Sequence, residues 1–132
     1  MKLGFSIGCD VFGYGLVLPH YGTIVVGISN RIGNYAVLHT STCISDNGKV
    51  IGDGLYLSTG AKKTSKVTLG RGVSVGANSV VNKDFGDNVL LVGLPAEVKR
   101  SRKIWYEEEN DIHYERVKKI ENLRACELMA SK

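Results

Sequence analysis

Residues 51–81, IGDGLYLSTGAKKTSKVTLGRGVSVGANSVV, decide the fold because apolar side chains return in them at every sixth position. This series consists of Ile51, Leu57, Leu69 and Val75, and position 63 is the slot between Leu57 and Leu69. The same spacing occurs upstream in two further series. The first consists of Phe12, Leu18 and Ile24, and the second consists of Ile32, Leu38 and Ile44. A helix repeats after about 3.6 residues and a simple strand after about two, so neither explains the pattern.

A period of six predicts a short extended segment and a turn, repeated along the chain. Three such segments close a triangular coil of about 18 residues, and stacked coils bury a continuous column of aliphatic side chains. The pattern runs from about residue 12 to residue 92. It therefore predicts roughly four to five coils of an all-β solenoid. A β-sandwich is disfavoured, because its strands would be spaced irregularly at about 8–12 residues.

The repeat has three irregularities. Ile24 and Ile32 lie eight residues apart, and Ile44 and Ile51 lie seven apart. Extra residues in a solenoid are expected to leave the stack as loops, where binding residues tend to lie. Lys63 occupies an apolar slot. We expect either that its stem packs while the ammonium group reaches the surface, or that the coil is locally distorted.

The sequence changes character after Pro95, where the period of six ends. Residues 101–130 are rich in charge, and apolar residues recur along them at helical spacing: Tyr114, Val117, Ile120, Leu123 and Leu128. Glu115 and Lys119 have the spacing of a helical ion pair. We predict a β-helix domain over residues 1–100 and a helical extension over residues 101–132. Trp105 and Tyr106 are expected to anchor that helix on its own β-helix or on a neighbouring subunit.

The composition fits one globular domain of 132 residues with 43% hydrophobic and 23% charged residues. The net charge is +4, but the basic residues are scattered and lack interleaved aromatic rings, so no nucleic-acid partner is predicted. Three cysteines without paired spacing favour a reducing, cytoplasmic setting over a disulfide framework. The apolar runs are too short for a secretion signal or a membrane span, so no membrane association is predicted.

Several segments together resemble one enzyme family. Residues 18–26, LPHYGTIVV, look like the histidine-containing turn of bacterial serine acetyltransferases and of their shorter relatives in capsule and surface-polysaccharide gene clusters. Residues 51–62, IGDGLYLSTGAK, resemble the coils that follow this turn. Residues 75–84, VGANSVVNKD, and residues 92–96, VGLPA, are similar to the signature and the ending of hexapeptide-repeat acyltransferases.

This resemblance implies a left-handed parallel β-helix of hexapeptide repeats, followed here by a C-terminal α-helix. It also implies a homotrimer with three active sites, each between neighbouring subunits. The implied reaction transfers an acetyl group from acetyl-CoA, as cosubstrate, to a hydroxyl of a small-molecule acceptor. The acceptor is expected to be a sugar, a polysaccharide precursor or a serine-like amino acid, and no metal is expected to take part.

The resemblance assigns the general base to His20, because His20 lies in the catalytic motif of the family. An imidazole suits this task, since its ordinary pKa lies near neutrality. His39 follows a core slot and is expected to point to an outer face or a subunit contact, with lining of the site as the alternative. Asp10 is the nearest candidate carboxylate for orienting His20. His113 lies in the charged tail, where we expect a solvated side chain.

The chain departs from serine acetyltransferases at three places. Those enzymes carry an Asp immediately before the catalytic His, where this chain has Pro19. They carry a second active-site His where this chain has Gly48, before Lys49. They also have a helical N-terminal domain, whereas this chain begins almost at the repeat. These departures put specificity for L-serine in doubt.

The family binds acetyl-CoA along the β-helix, with small residues under the pantetheine arm and polar residues near the nucleotide. Carried over position by position, the resemblance assigns cofactor binding to Gly60, Ala61, Ala77, Ser79, Asn82, Lys83, Lys99 and Arg100. Coil packing alone would also require the small residues, and a solvated charge would equally explain the lysines.

Two other functions are compatible with the repeat. A metal-dependent carbonic anhydrase of the same architecture needs three converging His. That function is disfavoured, because His113 lies outside the repeat. The second alternative is a non-catalytic scaffold or degenerate subunit, which the missing second His and Lys63 would allow.

Overall fold

The computed structural model describes residues 5–7, 10–20, 22–46, 50–64, 66–107 and 112–130. The chain forms a β-solenoid of about four turns with a C-terminal helix, which confirms the predicted fold class. Its strands are β1 (Phe5–Ile7), β2 (Ile24–Val26), β3 (Arg31–Ile32), β4 (Val37–Leu38), β5 (Thr42–Ile44), β6 (Val50–Ile51), β7 (Tyr56–Leu57), β8 (Lys62–Lys63), β9 (Ser74–Val75), β10 (Val80–Val81), β11 (Val89–Gly93) and β12 (Ala96–Ser101). A 3-10 turn (Trp105–Glu107) and helix α1 (Ile112–Ala130) follow.

The strands stack into three walls, as a triangular coil requires. The first wall has the order β1-β2-β5-β8-β10, and the second has the order β4-β7-β9-β11-β12. The third wall consists of β3 and β6, and isolated bridges from Phe12 to Ile32 and from Leu69 to Phe85 extend it. The strands within each wall pair in parallel, except β11 and β12, which form an antiparallel hairpin at the end of the second wall.

The period of six corresponds to one short segment per wall, and the apolar residue of each repeat faces inward. The inward column of the second wall is aliphatic throughout and almost fully buried: Leu38, Leu57, Val75 and Leu91. Ile32, Ile51 and Leu69 form the column of the third wall. These side chains belong to one continuous core. Burial of this apolar column is the main stabilising contribution to the stack.

The register corrects the predicted position of the first irregularity. Val26, not Ile24, stands opposite Ile44, and Ile24 pairs with Thr42. Val26 lies six residues before Ile32, so the two extra residues lie earlier, between Leu18 and Val26. Ile24 and Val26 both face inward and are buried, because alternate residues of a strand share one face. Counting from Ile24 therefore placed the expansion one corner too late.

Lys63 follows neither of the two expected arrangements. Its side chain points into the solenoid and is only 1% exposed, while β8 keeps regular parallel pairing with β10. The Lys63 ammonium group donates a hydrogen bond of 3.1 Å to Oδ1 of Asn30. The Asn30 amide donates in turn to the carbonyls of Gly27 (3.1 Å) and Ser45 (2.8 Å). The buried polar pair is tolerated because these groups are hydrogen-bonded to one another and to the backbone.

The C-terminal segment packs on the β-helix of its own chain, with Trp105 and Tyr106 buried as predicted. The Trp105 indole donates to the Tyr35 carbonyl at 2.8 Å. Helix α1 is attached through Glu121, whose Oε1 accepts hydrogen bonds from Tyr35 (2.7 Å) and Tyr14 (2.9 Å). The predicted apolar stripe contributes little, because Val117 is buried while other members are exposed, namely Tyr114, Ile120 and Leu123. The side chain of Leu128 lies outside the described residues.

The β12 strand extends to Ser101, next to the predicted boundary between the two regions. No helix in the part of the chain that the structure describes has the length and apolar composition needed to cross a bilayer.

Candidate active site

The candidate site lies along the corner where the second wall turns into the first. In the first complete coil this corner holds the two extra residues between Leu18 and Val26, and His20 is exposed within it. The coils approach closely here, since a Cβ added at Gly22 would lie 3.0 Å from the Cβ of Thr40. The expansion therefore pushes His20 outward rather than separating the coils.

His39 occupies the same corner one coil later, directly after β4. Its side chain is half-buried, and Nε2 lies 2.9 Å from the Tyr56 hydroxyl in a hydrogen bond. The two rings lie 5.3 Å apart between centroids, at an interplanar angle of 58°. Burial lowers the pKa of His39, and the charge of neighbouring His20 lowers it further. The structure thus places His20 and His39 within electrostatic reach of each other.

Tyr56 connects this corner to the C-terminal segment. It lies on β7, with its side chain on the outer face of the second wall and one coil beyond His39. The Arg102 guanidinium group lies 5.8 Å from the centre of the Tyr56 ring. Tyr56 is therefore hydrogen-bonded to an imidazole and lies close to a cation.

Sequence reasoning did not identify Tyr56 as a candidate. The signal was present, because Tyr56 is the large aromatic residue in an outward slot whose equivalents are Val37 and Ser74. Assigning it to the site requires the coil register, which places the outward slot of β7 beside the residue that follows β4.

Four of the predicted cofactor residues lie at or next to the same corner. The Gly60 amide donates a hydrogen bond to the Thr40 carbonyl. A Cβ added at Gly60 would clash with the Asn78 side chain. Ala61 is fully buried, whereas Ala77 is exposed. Ser79 is buried, and its hydroxyl accepts a hydrogen bond of 3.0 Å from the Gly93 amide. Gly60, Ala61 and Ser79 therefore take part in coil stacking, and their role toward a cofactor stays a prediction.

The other four predicted cofactor residues lie elsewhere on the solenoid. Asn82 and Lys83 are exposed after β10, at the corner that follows the first wall. Lys83 lies 3.6 Å from Glu97 and 5.6 Å from the centre of the Phe85 ring. Lys99 and Arg100 are exposed on β12, at the edge of the second wall. Within one chain these four side chains are not brought to the histidines.

The structure provides no carboxylate partner for the two histidines among the residues it describes. Asp10 is exposed and lies before the third wall, at a different corner from His20. The His39 ring is instead hydrogen-bonded to Tyr56. Gly48, Lys49 and the side chain of His113 lie outside the described residues.

The arrangement suits proton transfer at an exposed corner. The His20 imidazole is open to solvent. The His39 imidazole is hydrogen-bonded to the Tyr56 hydroxyl, and burial lowers the pKa of His39. A group with this chemistry accepts a proton from a hydroxyl near neutral pH. Over the described residues, no cluster of three or more His, Cys, Asp or Glu is grouped to hold a metal ion.

The sequence is similar to that of serine acetyltransferases. It is 30% identical over 118 residues to the serine acetyltransferase of Bacillus licheniformis, a match that covers 80% of this chain and 55% of that protein. The chain spans about half the length of the curated relatives it matches. No family model matches the sequence.

Solved structures show the same fold. The crystal structure of Neisseria gonorrhoeae serine acetyltransferase superimposes with a TM-score of 0.64 at 27% identity, covering 76% of this chain and 42% of that chain. The polySia-specific acetyltransferase NeuO superimposes with a TM-score of 0.56 at 18% identity, covering 76% of this chain and 54% of that chain, and so supports the fold alone. These neighbours are left-handed β-helix acetyltransferases, which gives the solenoid its hand.

Proposed function

Because the chain shares its fold and sequence pattern with the serine acetyltransferase-like hexapeptide-repeat acyltransferases, we propose that it transfers an acetyl group from acetyl-CoA to a hydroxyl of a small acceptor. The observation that carries this proposal is the pair of imidazoles, His20 and His39, at one expanded corner of the solenoid. The expansion exposes His20 where an acceptor and a thioester can both approach it.

In the proposed reaction, the His20 imidazole takes the proton of the acceptor hydroxyl as its oxygen attacks the thioester carbon. The carbon–sulfur bond of the resulting tetrahedral intermediate then breaks. The thiolate of CoA leaves and takes the proton from the His20 imidazolium, so the products are an acetyl ester and free CoA thiol. A base placed in this way contributes about 10²- to 10⁴-fold to the rate.

We propose a sugar hydroxyl, in a saccharide or its precursor, as the first candidate acceptor and a serine-like amino acid as the second. Pro19 and Gly48, where serine acetyltransferases keep Asp and His, favour this order. We also propose a homotrimer with sites between subunits. In such an assembly a neighbour supplies the cationic residues that a single chain leaves far from His20: Lys83, Lys99 and Arg100. The free cysteines Cys43 and Cys126 suit a cytoplasmic location.

The test is a thiol-release assay with acetyl-CoA and a panel of sugars and amino acids, paired with calorimetry of CoA binding. We expect turnover with at least one acceptor, and a loss of about 10²- to 10⁴-fold in His20→Ala with CoA affinity retained. His113→Ala is the matched control and should keep turnover.

Two outcomes would contradict the proposal. Absence of both CoA binding and His20-dependent turnover would favour a non-catalytic scaffold. Loss of CoA affinity in His20→Ala would make His20 a structural residue rather than the base.

A further inference from the structure

The hydrogen bond between Tyr56 and His39 has no role in the proposed proton transfer by His20. It joins β7 to the residue after β4, across one coil of the second wall. His39 could disturb catalysis by His20 in two ways: it could compete for the acceptor's proton, or its ring could rotate between orientations. The hydrogen bond from the Tyr56 hydroxyl would limit both effects.

We propose that Tyr56 is a positioning residue that fixes the His39 ring in one orientation and in the neutral form beside His20. Proton uptake at the corner is thereby confined to His20. This inference rests on the proposed function only for its catalytic consequence, since the state of the His39 ring is measurable without any substrate.

The surroundings of His39 support the assignment from each side. His20 on the preceding coil interacts electrostatically with the ring, Tyr56 on the following coil is hydrogen-bonded to it, and Arg102 lies close to the Tyr56 ring. In the proposed state the Tyr56 hydroxyl donates to Nε2 of His39, which leaves the ring proton on Nδ1 and so selects one neutral tautomer. Burial of the ring and the charge of neighbouring His20 both lower the pKa of His39 and so oppose a positive charge at this position.

The packing around Tyr56 makes this support rigid. The ring packs against the cluster formed by Tyr35, Val37, Ile104, Trp105 and Tyr106, which ties the C-terminal segment to the outer face of the second wall. A hydroxyl on a well-packed ring loses little further freedom when it binds the imidazole. The C-terminal segment therefore contributes to the corner through Tyr56.

The first experiment is nitrogen-15 NMR of the imidazoles in Tyr56→Phe, with the three histidines assigned through His→Gln variants. In the parent protein we expect His39 to be a single neutral tautomer whose pKa lies below the ordinary value for histidine. In Tyr56→Phe we expect mixed tautomers and a His39 pKa closer to the ordinary value. Tyr14→Phe, which removes a hydroxyl bonded to Glu121 instead, is the matched control and should leave His39 unchanged.

The second experiment is a kinetic double-mutant cycle. We expect Tyr56→Phe to lower kcat about tenfold with CoA affinity kept, and Tyr56→Phe with His39→Ala to be no slower than His39→Ala alone. Additive losses would overturn the inference, because Tyr56 would then act independently of His39. An unchanged His39 spectrum in Tyr56→Phe would overturn it even in a protein without turnover. Failure of the proposed function would instead abolish turnover in every variant, while the effect on the spectrum remained.

Discussion

The first and second walls are built on one repeat, yet they differ on both faces. The inner face of the second wall is an unbroken aliphatic column, whereas the inner face of the first wall contains Lys63 among apolar residues. The outer face of the second wall is covered by the C-terminal segment, whereas the first wall presents side chains such as Val25 and Lys62 to solvent. His39 and Tyr56 stand on the wall that is supported from both sides.

This difference indicates how a solenoid holds a chemical group in place. A side chain on a thin wall is positioned by the strand beneath it and by whatever covers it. The second wall supplies both supports at β4 and β7, directly before the corner that holds His39. The first wall keeps its register although its core contains an amine, because Asn30 bonds the amine and two backbone carbonyls.

The largest stability effect is expected on the second wall. Leu57→Ala removes a fully buried side chain from the aliphatic column, and should lower the free energy of unfolding by about 2–5 kcal/mol. Chemical denaturation measures this loss. Val25→Ala, on the exposed face of the first wall, is the control and should change stability by less than about 0.5 kcal/mol. Equal losses would contradict the difference between the walls.

Asn30→Ala tests the polar interior of the first wall. It leaves the Lys63 amine and the carbonyls of Gly27 and Ser45 without the bonds that Asn30 makes. We expect a loss of about 1–3 kcal/mol by denaturation. Lys63→Met should cost less, because Met fills the slot and the Asn30 amide keeps both of its carbonyl partners. A larger loss in Lys63→Met would show that the lysine, not the asparagine, organises this interior.

Two buried serines provide a matched pair at the second wall and the corner after it. The Ser79 hydroxyl accepts from Gly93, whereas the Ser74 hydroxyl has no partner among the described residues. We expect Ser79→Ala to lose about 1 kcal/mol and Ser74→Ala to be neutral or stabilising, since removal of an unsatisfied buried hydroxyl relieves a cost. Thermal unfolding of both variants measures the difference, and the opposite order would contradict it.

The smallest effect concerns the helix that covers the second wall. Hydrogen bonds from Tyr35 and Tyr14 lower the pKa of Glu121 below its ordinary value of 4.5. Its folded pKa is depressed, so the stabilisation is present above pH 4.5 and is lost as the pH falls through the folded pKa. Because Glu121 is exposed, we expect less than about 1 kcal/mol. Amide exchange of α1 against pH measures it, and a pH dependence retained in Tyr35→Phe with Tyr14→Phe would contradict the assignment.

The sequence alone predicts the solenoid because a period of six is a long-range regularity that few side chains disturb. It misplaces the expansion, since Ile24 and Val26 are equally apolar and only strand pairing decides between them. It predicts His20 through a local motif, but it misses Tyr56, whose role depends on contacts between coils. It also does not predict where the Lys63 side chain lies, because its hydrogen-bond partner, Asn30, is 33 residues away in the chain.

The two extra residues before Val26 leave every neighbouring strand in register. A corner of the coil is therefore a place where chain length varies without altering the stack. A new loop can be inserted there, or an old one trimmed, while the remaining coils fold as before. For an engineer or for natural selection, this corner makes the loop that carries His20 adjustable independently of the scaffold's stability.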